Sequence, residues 1–363
     1  GPNLNGWNNT DVTVNFTCAD TGLVQSGIDV DTVAADDDTV TTEGANQPVS
    51  SDGDCVDNAG NSASTPVTVL VSIDKTAPVI TDDGPTTAAN VNGWYNADVV
   101  NEFSVDAGIS GPDATCAPAF SGGSQSKTTT GEGFAVTVTS DGCTDLAGNT
   151  AGGKTSAGFQ IDKTKPTSIS FAGGGINEGD SFFFGFVPAG PSSCDANYDI
   201  SGSDGCVVTG PDNGNAVGPN KYTATATDLA GNVGTFDLNY TVDPWTLQGF
   251  FQPVDMGGLY NTVKNGSTVP LKFRIFAGTT ELTDVSAVSY VNSITVPCSG
   301  ATPVDAIEEI VTTGSTVLRY DTVGQQFIDN WKTPKGASWV GKCLQVQMKA
   351  ADGSSLYAWF KLK

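Results

Sequence analysis

Apolar and polar residues alternate in short runs along much of the chain. Near the N-terminus, Val12, Val14, Phe16 and Cys18 alternate with polar residues, which is the period-two pattern of a β-strand with one buried face. Further runs of this kind flank residues 228–232, and segments rich in Gly, Asn, Asp and Thr separate the runs. The pattern predicts an all-β chain whose short strands are joined by turns.

One long segment of this pattern occurs twice. Residues 5–16 (NGWNNTDVTVNF) return as residues 92–103 (NGWYNADVVNEF), with Trp, Asp, Val and Phe in register. Trp7 and Trp94 begin the two equivalent strands, and we expect them to pack in the core or between modules. The repetition predicts that the chain is built from modules of one kind.

Each copy later reaches the pattern Cys-x-Asp-x-Ala-Gly-Asn, at residues 55–61 and 143–149, and a shortened form follows at residues 228–232. The first two copies end in Ile-Asp-Lys-Thr-x-Pro, at residues 73–78 and 161–166. Because proline fixes φ and cannot donate to a ladder, it predicts a boundary there. Four modules are therefore expected, over residues 1–75, 76–163, 164–244 and 245–363, and are called modules 1 to 4 below.

The chain contains eight cysteines, two in each proposed module, and none forms a Cys-x-x-Cys pair. One disulfide per module is the natural interpretation, and each would stabilise its module by about 2–4 kcal/mol. Such bonds persist in oxidising surroundings, which predicts an extracellular or cell-surface location. The expected pairs are Cys18 with Cys55, Cys116 with Cys143, Cys194 with Cys206, and Cys298 with Cys343.

The net charge of −24 is unevenly distributed. Residues 1–244 hold 31 acidic residues against six lysines, a net charge of −25, whereas residues 245–363 have a net charge of +1. An acidic field of this size repels nucleic acid and anionic lipid and attracts divalent cations. No stretch approaches the roughly 18 apolar residues of a membrane helix. We therefore expect no nucleic-acid partner and no membrane insertion.

The absence of histidine from the sequence excludes catalytic triads and metal sites that need an imidazole. Since the cysteines are expected to form disulfides, we predict that the protein is not an enzyme.

Aspartates and asparagines offer the hard oxygen ligands that calcium prefers. Calcium is therefore a possible cofactor, although the Ala-Gly-Asn segments are equally typical of a tight turn in which glycine takes a positive φ. The adjacent Lys75 and Lys163 weaken the case at the two linkers. The candidate residues are Asp74, Asp162, Asp57, Asn61, Asp145, Asn149, Asp228 and Asn232.

The fourth module has a different pattern, which contains Pro270-Leu271-Lys272-Phe273 after Asn261-Thr262-Val263. This segment resembles the PxKF domain of bacterial and archaeal cell-surface proteins. The first three modules resemble the Ig-like and HYR-like repeats that often precede that domain. The resemblance implies four disulfide-stapled, tandem Ig-like β-sandwich modules and an extracellular setting, and it implies no activity.

Aromatic residues of the near-neutral fourth module are the candidate contacts with a partner, which would be a protein or a glycan. They are Phe250, Phe251, Trp331 and Trp359. Four asparagines begin Asn-x-Ser/Thr sequons that permit glycosylation. They are Asn8, Asn15, Asn239 and Asn265.

The leading hypothesis is an extracellular structural and adhesive surface protein, a rigid stalk that presents its C-terminal module. Two other hypotheses remain. The chain could be a self-assembling subunit of a filament, an S-layer or a virion appendage, or it could be a carbohydrate-binding module.

Overall fold

The computed structural model describes residues 1–33, 38–63, 66–298, 303–306 and 317–363 of the 363-residue chain. The described residues form β-strands almost throughout, with one short helix and a few 3-10 turns. The chain is an all-β series of tandem Ig-like β-sandwich repeats. Four disulfides staple it, between Cys18 and Cys55, Cys116 and Cys143, Cys194 and Cys206, and Cys298 and Cys343.

Module 1 forms three antiparallel strand pairs, β1 with β3, β2 with β5, and β4 with β6. Its strands are β1 (Val12–Val14), β2 (Ile28–Asp31), β3 (Asp38–Val40), β4 (Gly44–Ser50), β5 (Cys55–Asp57) and β6 (Thr68–Ile73). Phe16, Val49, Val71 and Ile73 lie in its core. The alternation of residues 12–18 predicts a strand over that whole length, but β1 ends at Val14.

Module 2 contains two three-stranded sheets, β10-β9-β7 and β11-β14-β8, and the hairpin β12-β13. Phe103, Phe120 and the Cys116–Cys143 disulfide fill one part of the core, and Val99, Phe159 and Ile161 fill another. The elements are β7 (Val79–Pro85), β8 (Trp94–Tyr95), β9 (Val100–Asp106), α1 (Cys116–Ala119), a 3-10 turn (Ser121–Gly123), β10 (Ser124–Thr128), β11 (Gly133–Val136), β12 (Cys143–Thr144), β13 (Thr150–Ala151) and β14 (Phe159–Ile161).

Module 3 pairs β15 with β17 and forms the four-stranded sheet β16-β20-β19-β18. Alternate residues of the long strands β19 and β20 are buried, and Tyr222, Leu238, Tyr240 and Val242 form the core with Ile176. The strands are β15 (Thr167–Ala172), β16 (Ser181–Phe183), β17 (Ser193–Asn197), β18 (Ser203–Thr209), β19 (Gly218–Asp228) and β20 (Val233–Asp243).

Module 4 consists of two five-stranded sheets, β21-β23-β28-β27 with β24 beside β23, and β25-β29-β30-β22-β26. The Pro-Leu-Lys-Phe segment lies in β23, where Leu271 and Phe273 are fully buried in the core. The elements are β21 (Thr246–Phe251), β22 (Tyr260–Val263), β23 (Thr268–Ala277), β24 (Thr280–Leu282), a 3-10 turn (Val285–Ala287), β25 (Val288–Val296), β26 (Pro303–Ala306), β27 (Arg319–Asp321), β28 (Gln326–Lys332), a 3-10 turn (Ala337–Trp339), β29 (Cys343–Ala350) and β30 (Ser355–Leu362).

One parallel pairing recurs in all four proposed modules. An early segment of the module runs parallel to its last strand, as β8 beside β14, β16 beside β20, and β22 beside β30. In module 1 the same pairing is a single bridge between Asn8 and Ile73. The recurrence agrees with the predicted modules, although their exact number stays a prediction.

The chain divides into two compact units. The first contains residues 1–165, 198–204 and 228–232, and the second contains residues 166–197, 205–227 and 233–363. Two loops of proposed module 3 thus belong to the first unit. In the described residues, no helix has the length and apolar character that crossing a membrane requires.

Candidate functional site: the junctions of the first unit

The linker aspartate Asp74 is fully buried. Its Oδ1 accepts a hydrogen bond from the backbone N–H of Thr76 at 3.1 Å, and its Oδ2 accepts one from the backbone N–H of Ser110 at 3.0 Å. Burial of a carboxylate is costly unless such donors replace the lost water. Because Ser110 belongs to module 2, the linker carboxylate joins the end of module 1 to a loop of the next module.

The Asp-Leu-Ala-Gly-Asn loop of module 2 makes the second contact with this linker. The Asn149 side-chain amide donates to the backbone carbonyl of Asp74 at 2.9 Å and to Asp145 Oδ2 at 2.8 Å. Asp145 Oδ1 in turn accepts the backbone N–H of Asn149 at 2.9 Å. Gly148 takes a φ of +94°, which a residue with a side chain rarely adopts. The turn therefore aims the Asn149 amide at the linker.

The second linker repeats this geometry with residues that lie in the same compact unit. Asp162 is fully buried, and its carboxylate accepts the backbone N–H groups of Thr164 at 3.0 Å and Ser201 at 2.9 Å. The Asn232 amide donates to the Asp162 carbonyl at 2.8 Å and to Asp228 at 2.9 Å. The two sets of contacts are equivalent, atom for atom.

A third contact at each junction comes from the preceding module, from the turn just before the repeated tryptophan, which is Trp7 in module 1 and Trp94 in module 2. The side-chain amides of Asn3 and Asn5 donate to the carbonyl of Leu146 at 2.8 and 3.1 Å. In the next repeat, the amides of Asn90 and Asn92 donate to the carbonyl of Leu229 at 2.8 and 3.2 Å. The leucine carbonyl of the Asp-Leu-Ala-Gly-Asn loop thus receives two asparagine amides in both cases.

The linker lysines hold each linker on its own module. Lys75 Nζ lies 2.9 Å from Asp11 Oδ1 and donates to the carbonyl of Thr41 at 2.7 Å, while its backbone N–H donates to Glu43. At the second linker, Lys163 Nζ lies 2.8 Å from Asp98 Oδ1, and its backbone N–H donates to Glu132. In each linker the lysine therefore contacts the preceding module and the aspartate contacts the loop that follows.

We call the whole set of contacts around one linker aspartate a junction lock. It contains the linker aspartate, a Ser-Gly pair, the Ala-Gly-Asn turn and the two turn asparagines. The aspartate and the turn were predicted from the sequence pattern, whereas the serines and Asn3, Asn5, Asn90 and Asn92 were not. Two recurrences could have revealed them, Asn-x-Asn-Gly-Trp at residues 3–7 and 90–94, and Ser-Gly at residues 26–27, 110–111 and 201–202.

The calcium candidates lie in or beside these locks. In the described part of the chain, no group of three or more His, Cys, Asp or Glu side chains lies close enough to hold a metal ion. Both oxygens of Asp74 already accept backbone amides. In module 1, hydrogen bonds from the side chain and backbone of Asn61 hold the pKa of Asp57 below its usual range. Calcium binding stays a prediction, and a cation at Asp74 would have to reach a fully buried carboxylate.

The candidate contact residues of module 4 differ in burial. Phe250 is only 4% exposed and packs edge-to-face on Phe273 in the core of its own module. It is a core residue and offers no surface to a partner, which corrects the expectation. Phe251, Trp331 and Trp359 are half-buried, and they stay predictions.

The four sequon asparagines differ in exposure and in hydrogen bonding. Asn15 is exposed, as the alternation predicts, whereas the Asn8 amide donates to the carbonyl of Ser72 at 3.1 Å. Asn239 donates to Glu178, and Asn265 accepts the N–H of Gly336. Glycosylation stays a prediction, and Asn15 and Asn239 are the exposed acceptors of the four.

Comparison with known proteins gives no family for this chain. No family model matches it, and no curated protein matches it. The resemblance to a PxKF domain therefore stays a prediction.

Several solved structures are similar to the chain at low identity. One is a Ca²⁺-stabilised adhesin that helps an Antarctic bacterium reach out and bind ice, with 15% identity over 87% of this chain and 80% of that chain and a TM-score of 0.26. Another is a tetra-tandem repeat from the extending region of a large adhesion protein, with 16% identity over 98% and 92% and a TM-score of 0.25. A third is the protocadherin gammaB7 EC3-6 cis-dimer, with 11% identity over 97% and 92% and a TM-score of 0.26. Likenesses this weak carry no argument about function.

Proposed function

We propose that the chain is a structural and adhesive part of an extracellular surface protein, a stalk whose linkers at Asp74 and Asp162 are held by junction locks and whose fourth module meets the partner. The repeated lock carries this proposal. An enzyme or a flexible linker needs no equivalent contacts at two successive linkers, whereas a stalk that transmits force or sets a distance needs a fixed angle at each one.

The chemistry of the lock suits this role. Its contacts are short hydrogen bonds to a buried carboxylate and to backbone carbonyls, and both linker aspartates are fully buried. Salt screens exposed charges, but it affects buried groups much less. A stalk held in this way keeps its stiffness over a wide range of ionic strength. The four disulfides support an oxidising, extracellular location.

The experiment compares the full chain with a variant in which Asp74 and Asp162 are both replaced by alanine. Electron micrographs of the purified wild type should show single particles of one uniform length, and the variant should show particles bent at the linkers. Beads coated with the wild-type protein should attach to a surface that carries the partner protein or glycan. Attachment should fall when an antibody covers the fourth module. Wild-type particles that bend as freely as the variant would contradict the stalk.

A self-assembling subunit of a filament, an S-layer or a virion appendage is the second candidate. The charge division favours it, because residues 245–363 are near neutral and residues 1–244 are strongly acidic. A contact between these two parts of neighbouring copies is heterologous and builds open chains. Ordered polymers in the same micrographs support this candidate.

A carbohydrate-binding module is the third candidate. It rests on the half-buried aromatic residues Trp331 and Trp359, since tryptophan presents a broad apolar face. Saturable binding on a glycan array, without assembly, supports it. The partner in all three candidates is a protein or a glycan, with neither nucleic acid nor membrane insertion.

A further inference from the structure

Module 1 carries its own copy of the loop that receives the linker. The Asn61 amide donates to Asp57 Oδ2 at 2.8 Å, and Gly60 has a φ of +84°, as in the occupied loops. The backbone N–H of Asn58 donates to the carbonyl of Gly27 at 2.8 Å, just as Leu146 donates to Gly111. The loop of module 1 is therefore folded in the receiving conformation.

The surface of this loop is uncovered. Most residues of the receiving surface are buried in the two occupied loops, where Leu146, Asn149 and Leu229 are half-buried, and their counterparts in module 1 are exposed. The buried ones are Ser110, Ala147, Ser201, Ala230 and Asn232, and the exposed ones are Ser26, Asn58, Ala59 and Asn61. The loops have the same local fold. The difference in burial therefore arises because the preceding linker and turn cover the loops of modules 2 and 3.

A second feature of module 1 matches this uncovered loop. In module 2, strand β9 lies between β10 and β7, and β7 follows the Asp-Lys-Thr-x-Pro linker directly. The repeat aligns β9 with β1 and the residues after it, and β1 pairs with β3 on the side that corresponds to β10. Among the residues that the structure describes, no strand pairs with the side that corresponds to β7, which is therefore an open edge. Unpaired strand edges are ready to pair with another strand.

The register of module 2 shows where a strand fits on this edge. β7 pairs with Asn101 to Asp106, with one shift of register between Asp82 and Gly84, and Asn101 to Asp106 align with Val14 to Ala19 in module 1. These residues keep the alternation of a strand, yet β1 ends at Val14 and residues 15–20 belong to no strand. A pairing partner on the open edge extends β1 to the length that its sequence predicts.

A groove connects the edge with the loop. Its volume is about 370 Å³, and its lining includes Ala19 at the edge, Asp57 and Asn61 in the loop, and the apolar Val24 and Ile28 between them. In module 2 the side chain of Ile80 on β7 packs against the core at Phe103. An apolar side chain at the same point of an added strand enters this groove.

We propose that module 1 is an acceptor for a linker and strand from another module of this repeat type. The segment consists of Asp-Lys-Thr-x-Pro followed by an alternating strand. Its aspartate accepts the backbone N–H of Ser26, its backbone carbonyl accepts the Asn61 amide, and its strand pairs with Val14 to Ala19. This is the addition of a strand to an exposed sheet edge, with the hydrogen bonds of a junction lock at one end of the strand.

Both segments of this kind within the chain are already placed in their own modules. Residues 73–85 lead through β7, which pairs with β9, and residues 161–172 lead through β15, which pairs with β17. The occupant of module 1 is therefore a further segment of the same chemistry. This inference does not depend on what the fourth module binds.

The test uses the full chain and a synthetic peptide with the sequence of residues 73–85, acetylated and amidated at its ends. We expect saturable binding of one peptide per chain and a slowing of amide hydrogen exchange at residues 15–19 by about tenfold or more. A peptide carrying Asp74→Ala should bind about tenfold more weakly, because a charge-assisted hydrogen bond is lost. A peptide of the same composition in reversed order is the control and should not bind.

A second variant tests the same acceptor without relying on the affinity of a free peptide. A copy of residues 73–89 is placed directly before Asn3 in the full chain, which reproduces the spacing of module 2. This extension should protect residues 15–19 and abolish binding of the peptide. The proposal is overturned if neither peptide nor extension changes exchange at these residues. It is also overturned if the chain alone is a dimer that the peptide does not dissociate, since a second copy then covers the edge.

Discussion

Replacing Asp74 by alanine removes the carboxylate that accepts the backbone N–H groups of Thr76 and Ser110. A hydrogen bond to a charged group contributes about 1.5–3 kcal/mol. Since the two donors are partly rehydrated in the variant, we take about 3 kcal/mol for the pair. That energy corresponds to roughly a hundredfold higher population of the open junction.

Trypsin reports this opening at the peptide bond after Lys75. In the closed lock the backbone N–H groups of Lys75 and Thr76 donate to Glu43 and Asp74, so the linker backbone enters the protease only after these contacts open. When closing is faster than cleavage, the cleavage rate follows the open population. Asp74→Ala should therefore speed cleavage after Lys75 by about a hundredfold and leave cleavage after Lys163 unchanged. Asp162→Ala should give the reciprocal result.

Two further variants serve as controls for this experiment. Asp11→Asn removes only an ion pair whose side chains are 36% and 51% exposed, so cleavage should rise no more than about fivefold. Asn149→Ala removes a donor that lies in the other module and should also speed cleavage after Lys75. Equal cleavage in Asp74→Ala and wild type, or a rise at both linkers in either single variant, refutes the lock as described.

Three other outcomes are expected. Burial raises the pKa of Asp329 to about 6, above the value near 3.9 of an aspartate in an unfolded chain. Between about pH 4 and 6 the folded state therefore binds more protons than the unfolded state. The free energy of unfolding falls as pH rises through that window. Asp329→Asn should remove this slope and, after a discount for partial exposure, raise the free energy of unfolding at pH 7 by about 1–2 kcal/mol, measured by urea denaturation. Solution scattering in calcium and in chelator should superimpose, because Asp74 and Asp162 are fully buried and each already accepts two backbone amides; stiffening by calcium supports the cation prediction instead. Sedimentation velocity at low and moderate salt should show a monomer; concentration-dependent polymers favour the filament candidate.

The strands and the modular repeat could be predicted because their signals are local. Alternation in residues 222–226 and 238–242 sets the buried face of β19 and β20 without knowledge of any partner, whereas Phe236, which continues the pattern, is exposed. Disulfide partners followed from counting two cysteines per module. Proline and glycine marked the turns through their own backbone preferences.

The junction contacts could be predicted only in part, because they depend on residues far apart in sequence. Asp74 meets Ser110 at a separation of 36 residues, and Asn3 meets Leu146 at a separation of 143. No periodic pattern in the sequence predicts a contact between residues so far apart. The aromatic residues of module 4 show the same limit, since composition does not distinguish the buried Phe250 from the half-buried Trp331.

The end of β1 at Val14 has a similar cause. The alternation continues to Cys18, but a ladder also needs a strand on the adjacent edge. In module 2 that strand is β7, and β9 there runs from Val100 to Asp106. Sequence pattern predicts which residues suit a strand, and the partner decides how far the strand extends.

Amide hydrogen exchange of three equivalent serines tests the junction lock most directly. The backbone N–H groups of Ser110 and Ser201 donate to buried aspartates, whereas Ser26, at the same place in module 1, is exposed. We predict that Ser110 and Ser201 exchange at least a hundredfold more slowly than Ser26 after correction for intrinsic rates, and that Asp74→Ala speeds exchange at Ser110 alone. Equal exchange at all three serines in the wild type would contradict the account.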